Sequence, residues 1–162
     1  MAATAPSAPA LFLREPELRR GLELLYFGHS HLTRSIDRGL AAEGLGRAHH
    51  RALYFIARQP NLTVSELLGL LAITKQSLGR VLGELTERGL VEIRPGERDR
   101  RQRLLRLTEK GGTMESELFE AAREKMSAAY TRAGQAAVAG YWAVLEGMIP
   151  EDARAQVEKL RG

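Results

Sequence analysis

Residues 63–107 constrain the fold more than any other stretch, and within them residues 74–88, TKQSLGRVLGELTER. Leu78, Val81, Leu82 and Leu85 fall at i, i+3, i+4 and i+7, which is one apolar stripe of an amphipathic helix. Thr74 is a good N-cap and Gly89 a C-terminal stop. Gln76, Gly79, Arg80 and Gly83 lie on the opposite side. An interior glycine costs roughly 1 kcal/mol against alanine. Two of them fit a helix that must lie close to another surface better than a freely solvated one. Lys75, Gln76, Ser77 and Arg80 put long or polar side chains in the first two turns, as suits a helix whose N-terminal half enters a DNA major groove. An ordinary surface helix of a bundle carries the same stripe, so its neighbours must decide.

Those neighbours are specific. Thr63 and Glu66 form the capping box T-V-S-E before a helix over 64–71. Ala72-Ile73 is a very short turn into the next helix, and two helices across such a turn make a helix-turn-helix. After Gly89 the period changes. Residues 90–93, LVEI, alternate and are β-branched; residues 94–100 are turn-like; residues 101–107, RQRLLRL, alternate in part. This predicts a hairpin with a charged tip. Between Arg94 and Arg106 there are six arginines against two acids, a local excess equal to the net charge of +4 of the whole chain. Exposed edges often carry charge, but usually Lys and mixed sign; arginine is suited to phosphates and to a narrow minor groove.

Long helices bracket this module. Residues 1–15 are rich in Ala and Pro and read as a flexible arm. Pro16 can open a helix at its first position. Leu18, Leu22, Leu25, His29, Leu32, Ile36 and Leu40 then alternate spacings of four and three up to Gly44. Such a helix is roughly 42 Å long, more than a small core can cover, so part of its stripe should meet a second long helix or another subunit. A further helix runs over 47–58 and ends at Gln59-Pro60-Asn61. Beyond the hairpin, helices are predicted over 108–133 (Met114, Leu118, Ala122, Met126 and Ala129 inward), over 135–148 (Val138, Tyr141, Trp142, Leu145) and over 151–160. The expected fold is mainly α with a small β-hairpin wing. It divides into an arm (1–15), an N-terminal helix (16–45), a winged helix-turn-helix (46–107) and C-terminal helices (108–162).

Composition excludes several classes. The 162 residues contain no cysteine, which removes disulfides, thiolate catalysis and most structural zinc sites. No apolar run approaches the ~20 residues that span a bilayer, and the N-terminus lacks a basic signal-peptide region, so a cytoplasmic protein is expected. His29 and His31 stand about 200° apart round a helix, and His49 and His50 about 100°; neither pair suits a shared ion, and no metal site is expected. There is no G-x-S-x-G, P-loop, H-E-x-x-H or dinucleotide fingerprint. Asp99, set among arginines, makes a poor general acid. No enzyme and no cofactor are expected.

Three stretches together resemble the MarR family of bacterial transcription regulators: TVSEL at 63–67, ITKQSLGRVLGELTERGLV at 73–91, and DRRQRLLRLTEKG at 99–111, the last like the family's wing signature. The resemblance covers about residues 16–149. One departure is Ala72, where the family often has Gly; alanine is tolerable there if its φ is negative. The resemblance implies a homodimer joined by the terminal helices, bound to double-stranded DNA at a pseudo-palindromic operator, and most often a repressor. Carried over by position, Thr74, Lys75, Gln76, Ser77 and Arg80 would face the major groove, Arg101 would enter the minor groove, and Asp99 would steady the wing. Arg98, Arg100 and Arg103 would add phosphate contacts, as would Thr63 and Ser65 at a helix N-terminus. The resemblance also implies a small aromatic effector held between the dimer helices and the winged module, with Tyr26, His29, His50, Arg51 and Tyr54 as candidates, though such residues are also ordinary core or interface residues. The rival reading is a winged-helix protein-interaction module without specific DNA binding; a partner-binding wing would carry aromatic or aliphatic anchors rather than arginines.

Overall fold

The computed structural model describes residues 10–160. The arm expected at the N-terminus lies outside them up to residue 9; within them, Leu11–Leu13 form a single 3-10 turn before the first helix. That helix, α1, is Glu15–Ala42, with Pro16 in its first turn. Then follow α2 (Arg47–Arg58), β1 (Leu62–Thr63), α3 (Val64–Leu71), α4 (Lys75–Glu87), β2 (Val91–Pro95), β3 (Arg103–Leu107), α5 (Glu109–Ala133), α6 (Gln135–Met148) and α7 (Glu151–Lys159). The protein is mainly helical with a three-stranded antiparallel sheet of order β1-β3-β2.

The core belongs to the central module. Leu53 and Ile56 of α2, Leu67 and Leu71 of α3, Leu78 and Leu85 of α4 and Leu105 of β3 are all at most 1% exposed. Each such side chain contributes about 1.5–3 kcal/mol relative to exposure. The α4 stripe is as the spacing predicts, with Leu78, Val81, Leu82 and Leu85 buried. Its C-terminus closes as a Schellman motif: Gly89 takes φ +67°, and the Leu90 N–H reaches the Leu85 carbonyl at 2.9 Å.

Three local features depart from the sequence expectations. Leu62 and Thr63 pair with Leu105 and Leu104, adding a third strand to the expected hairpin. Two residues are too few for an alternating pattern to announce a strand. The second wing strand begins at Arg103 rather than Arg101, because the tip turn takes the two residues before it: Gln102 N–H donates to the Asp99 carbonyl and Gly96 N–H to the Gln102 carbonyl. Ala72 sits at φ +50°, ψ +43°, in the left-handed region, not at the negative φ that would make alanine comfortable. The tight corner between α3 and α4 demands that conformation, since the Ala72 N–H closes α3 onto the Leu68 carbonyl.

The wing is locked to α5 by close packing. Thr108 caps α5 by accepting from Gly111 N–H at 3.0 Å and donates to the Gly89 carbonyl at 2.6 Å. Gly111 lies so near the start of β2 that a Cβ on it would stand 1.9 Å from the Leu90 carbonyl oxygen.

The long helices are only partly covered. In α1, Ile36 and Leu40 are buried, but Leu18, Leu22 and Leu25 are 56%, 50% and 39% exposed. On α5 only Leu118 of the expected inward set is fully buried, and Ala129 is exposed. On α6, Val138 is buried while Tyr141 and Trp142 remain exposed, gathered around Tyr130, whose hydroxyl accepts from Trp142 Nε1 at 2.9 Å.

Candidate nucleic-acid interface

Two helices and the wing converge on one groove of about 460 Å³. Its apolar floor includes Leu68, Leu82 and Ile93. Ser65 from the start of α3, Lys75 from the start of α4 and Arg103 from β3 line it together, three donors brought in from three elements. Gly79 and Gly83 form its α4 wall, and a Cβ at either would meet nothing within 4 Å. The two glycines therefore keep the flank of α4 beside the wing open.

The five α4 residues singled out by sequence are all exposed. Thr74 and Ser77 also act locally: Thr74 Oγ1 accepts from Ser77 N–H at 3.1 Å and donates to Ser77 Oγ at 2.8 Å. The threonine hydroxyl is thus committed to the cap, and the Ser77 hydroxyl keeps its own proton for an outside acceptor. Lys75, Gln76 and Arg80 make no side-chain hydrogen bond or ion pair among the described residues. At the start of α3, Thr63 and Glu66 form the expected capping box, with Thr63 N–H and Oγ1 donating to Glu66 Oε2 at 2.9 and 2.8 Å. Those two hydrogen bonds hold the Glu66 carboxyl below its ordinary pKa. Ser65, beside it, is exposed and faces the groove.

The arginines of the wing divide into two groups. Arg94 pairs with Glu92 of its own strand at 2.8 Å, and Arg106 donates to Asn61 Oδ1 at 2.7 Å, tying β3 to the loop before β1. Arg98, Arg100, Arg101 and Arg103 are exposed and have no side-chain partner among the described residues. Four guanidinium groups left without a side-chain partner at this end of the hairpin make a basic surface that an external anion would complement. The Asp99 carboxylate does not neutralise them through a side-chain contact; it accepts from the main-chain N–H of Arg101 at 2.9 Å.

The residues read as effector candidates come from two helices, Tyr26 and His29 from α1 and His50, Arg51 and Tyr54 from α2. His50 and Tyr54 are neighbours on α2, their ring centroids 6.4 Å apart. Burial lowers the His50 pKa, against the opposing charge of nearby Asp37. Arg51 is used structurally: its guanidinium donates to the Leu71 carbonyl at 2.9 Å and satisfies the end of α3. Tyr26 and His29 lie exposed on α1. The described residues contain no cluster of three metal-ligating side chains and no helix long and apolar enough to cross a membrane.

Sequence reasoning weighed His49 only as a metal ligand and passed over Glu84; the two join α2 to α4 through a 2.8 Å hydrogen bond. The signal was faint: Gly46-x-x-His49 has the spacing of a capping box, but with unusual residue types.

Comparison with known proteins agrees with this geometry. The sequence profile described as "MarR family" matches residues 43–102, from the end of α1 through the wing tip. The HTH-type transcriptional regulator PetP of Rhodobacter capsulatus is 50% identical over 151 residues, covering 93% of this chain and 91% of that protein. Among solved structures, a mutant MarR from E. coli complexed with operator DNA superposes with a TM-score of 0.65 at 22% identity, covering 88% of this chain and all of that one. NadR in complex with 4-hydroxyphenylacetate superposes with a TM-score of 0.68 at 20% identity, covering 91% and 97%. The arginine-tipped wing beside a polar-faced helix, the profile match and the half-identical relative place the function in DNA-binding regulation rather than catalysis: the chain belongs to the MarR family of transcriptional regulators.

Proposed function

We propose that the protein acts as a homodimer in the cytoplasm, binding a pseudo-palindromic operator and repressing transcription from it. Residues 46–107 read the DNA, and the terminal helices over 16–45 and 108–162 pair the two chains. Each α4 enters a major groove, and the two helices lie about 34–36 Å apart to match successive grooves on one face. Gln76 bridges adenine N6 and N7, and Arg80 forks onto guanine O6 and N7 or a phosphate. Thr74, Lys75 and Ser77 flank them, and Thr63 and Ser65 approach the backbone at the start of α3. Arg101 enters the minor groove, while Arg98, Arg100 and Arg103 hold phosphates on either side.

The observation that carries this reading is the set of four unpartnered arginines at the wing tip beside the groove where Ser65, Lys75 and Arg103 meet. A hairpin that merely turned the chain has no use for four arginine side chains that no acid of the tip pairs with.

A small aromatic acid releases the operator by shifting the two α4 helices away from the groove repeat. Support for this comes from the relative NadR, which was solved with 4-hydroxyphenylacetate. The tilted ring pair of His50 and Tyr54 is the place where such a ring would sit, with Tyr26 and His29 of α1 and Arg51, whose guanidinium is held to α3, as the further candidates.

The test is fluorescence anisotropy with labelled duplexes, both random and enriched from a random pool, at several salt concentrations. Submicromolar binding with a steep salt slope and a palindromic preference is expected. Weak binding without sequence preference would replace this reading with a protein-interaction role.

A further inference from the structure

The first turn of α2 holds polar ties to both of its neighbours. On one side, Arg47 forks onto Asp37 of α1, with Nε and Nη2 at 3.0 and 2.7 Å from the two carboxylate oxygens. On the other, His49 Nε2 lies 2.8 Å from Glu84 Oε2 of α4. The His49 ring is fixed at both nitrogens, because the Gly46 N–H donates to its Nδ1 at 3.1 Å. With Nδ1 accepting, the proton of the neutral ring sits on Nε2, and Nε2–H donates to the Glu84 carboxylate. The His49 side chain is only 13% exposed, against 40% for Glu84.

Glu84 occupies a telling position on α4. It follows Ser77 by seven residues and Arg80 by four, so all three share one strip of the helix. The apolar stripe of Leu78, Val81, Leu82 and Leu85 holds α4 onto the core, but apolar packing is non-directional and defines roll about the helix axis only loosely. A side-chain tip about 6 Å from the axis moves about 1 Å for each 10° of roll. That displacement is large against the window of a hydrogen bond to a base edge.

We propose that His49 is a positioning residue for DNA recognition: by holding Glu84 it fixes the roll of α4 on α2, and with it the aim of Gln76 and Arg80. The role rests on α4 being the DNA-reading helix. Because Arg47 and His49 share one helical turn, the same turn links α4 to α1 through Asp37, the helix assigned above to dimer pairing.

Two substitutions separate this tie from the cap. In His49→Asn the side-chain oxygen stands near the former Nδ1 and can still accept from Gly46 N–H, but nothing reaches Glu84. In His49→Gln the amide nitrogen stands near the former Nε2 and can still donate to Glu84. The measurement is anisotropy of wild type and both variants on a duplex enriched from a random pool by the wild-type protein, and on random duplex, with thermal melts alongside. Expected is roughly tenfold weaker binding of the enriched duplex by Asn, little change on random duplex, and near-wild-type binding by Gln. In a Glu84→Ala background, which alters a half-exposed site and leaves the core intact, His49→Asn should have no further effect. Equal behaviour of Asn and Gln, equal losses on both duplexes, or additive losses with Glu84→Ala would overturn the role of His49 while leaving operator binding standing. Wild-type protein with no sequence preference would overturn the DNA reading itself, and this role with it.

Discussion

The Asp99 carboxylate accepts a hydrogen bond from the main-chain N–H of Arg101 at 2.9 Å, while the Asp99 carbonyl accepts from Gln102 N–H at 3.0 Å. One residue thereby closes the wing tip twice and sets the direction in which the Arg101 side chain leaves the backbone.

This geometry separates two effects that simple charge counting confuses. Arg101→Ala should weaken operator binding at least about tenfold at moderate salt and lower the salt slope by about one contact. Asp99→Ala removes a negative charge from a basic tip, so counting alone predicts tighter binding. The hydrogen bond predicts the reverse, because a loosened tip must be ordered again on each binding event. Anisotropy titrations of both variants decide the matter, and tighter binding by Asp99→Ala would show that net charge outweighs the shape of the turn.

Ala72 gives a prediction of opposite sign. A non-glycine residue in the left-handed region costs roughly 1–2 kcal/mol, and glycine returns about 0.5–1 kcal/mol of that through its freer unfolded chain. Ala72→Gly should therefore stabilise the protein by about 0.5–1 kcal/mol, raising the melting midpoint by a degree or more. A lower midpoint in differential scanning calorimetry would mean that the corner is not strained.

What could be read in the sequence was what depends on near neighbours. The α4 stripe, the Thr63, Thr74 and Thr108 caps and the Gly89 stop are all set within a few residues, and each stands where the spacing places it. Features that depend on distant partners were not legible. The strand at Leu62 exists because Leu105 lies across from it, and the left-handed Ala72 follows from the angle between two helices. Arg51 looked available for a ligand until the end of α3 arrived beside it with free carbonyls. For the candidate interface, the sequence marked the arginines and the resemblance picked Arg98, Arg100, Arg101 and Arg103 among them; the fold adds what holds the other two, Glu92 for Arg94 and Asn61 for Arg106.

Gly111 is a position where size decides. Its would-be Cβ meets the backbone carbonyl of Leu90 rather than a movable side chain. Gly111→Ala should therefore push α5 away from β2 and destabilise the fold by about 3 kcal/mol. Chemical denaturation measures this, with Gly112→Ala as a control, since a Cβ there meets nothing within 4 Å. Equal midpoints for the two variants would remove the close-packing argument.

Glu66 links stability to pH. Its folded pKa is lowered by the Thr63 N–H and hydroxyl, so its contribution is fully present above the unfolded value of about 4.3 and is lost as pH falls through the folded value. Glu66→Gln should thus be less stable than wild type near neutrality, and the gap should close in acid. Urea melts from pH 7 down to pH about 3 test this; a gap that stays constant would show that Glu66 acts through something other than its charge.

The uncovered half of α1 carries the last prediction. Leu18, Leu22, Leu24, Tyr26 and Phe27 are at least 50% exposed in the single chain, and so is Trp142 at 52%. Large apolar side chains left exposed in such number mark an interface, and a symmetric homodimer would bury those it covers twice. A carboxylate placed within it must lose its water on association. Leu22→Glu should therefore raise the dimer dissociation constant by about a hundredfold or more. Light scattering after size exclusion should report twice the chain mass for wild type at micromolar concentration and a single chain for the variant. Trp142 gives an independent readout, because its emission should shift to the blue as wild type associates and stay red in the variant. Operator affinity should fall with the dimer, since one wing and one α4 read only half of a palindrome. A Leu22→Glu protein that keeps the double mass would move the interface elsewhere, and the exposed stripe of α1 would need a different partner.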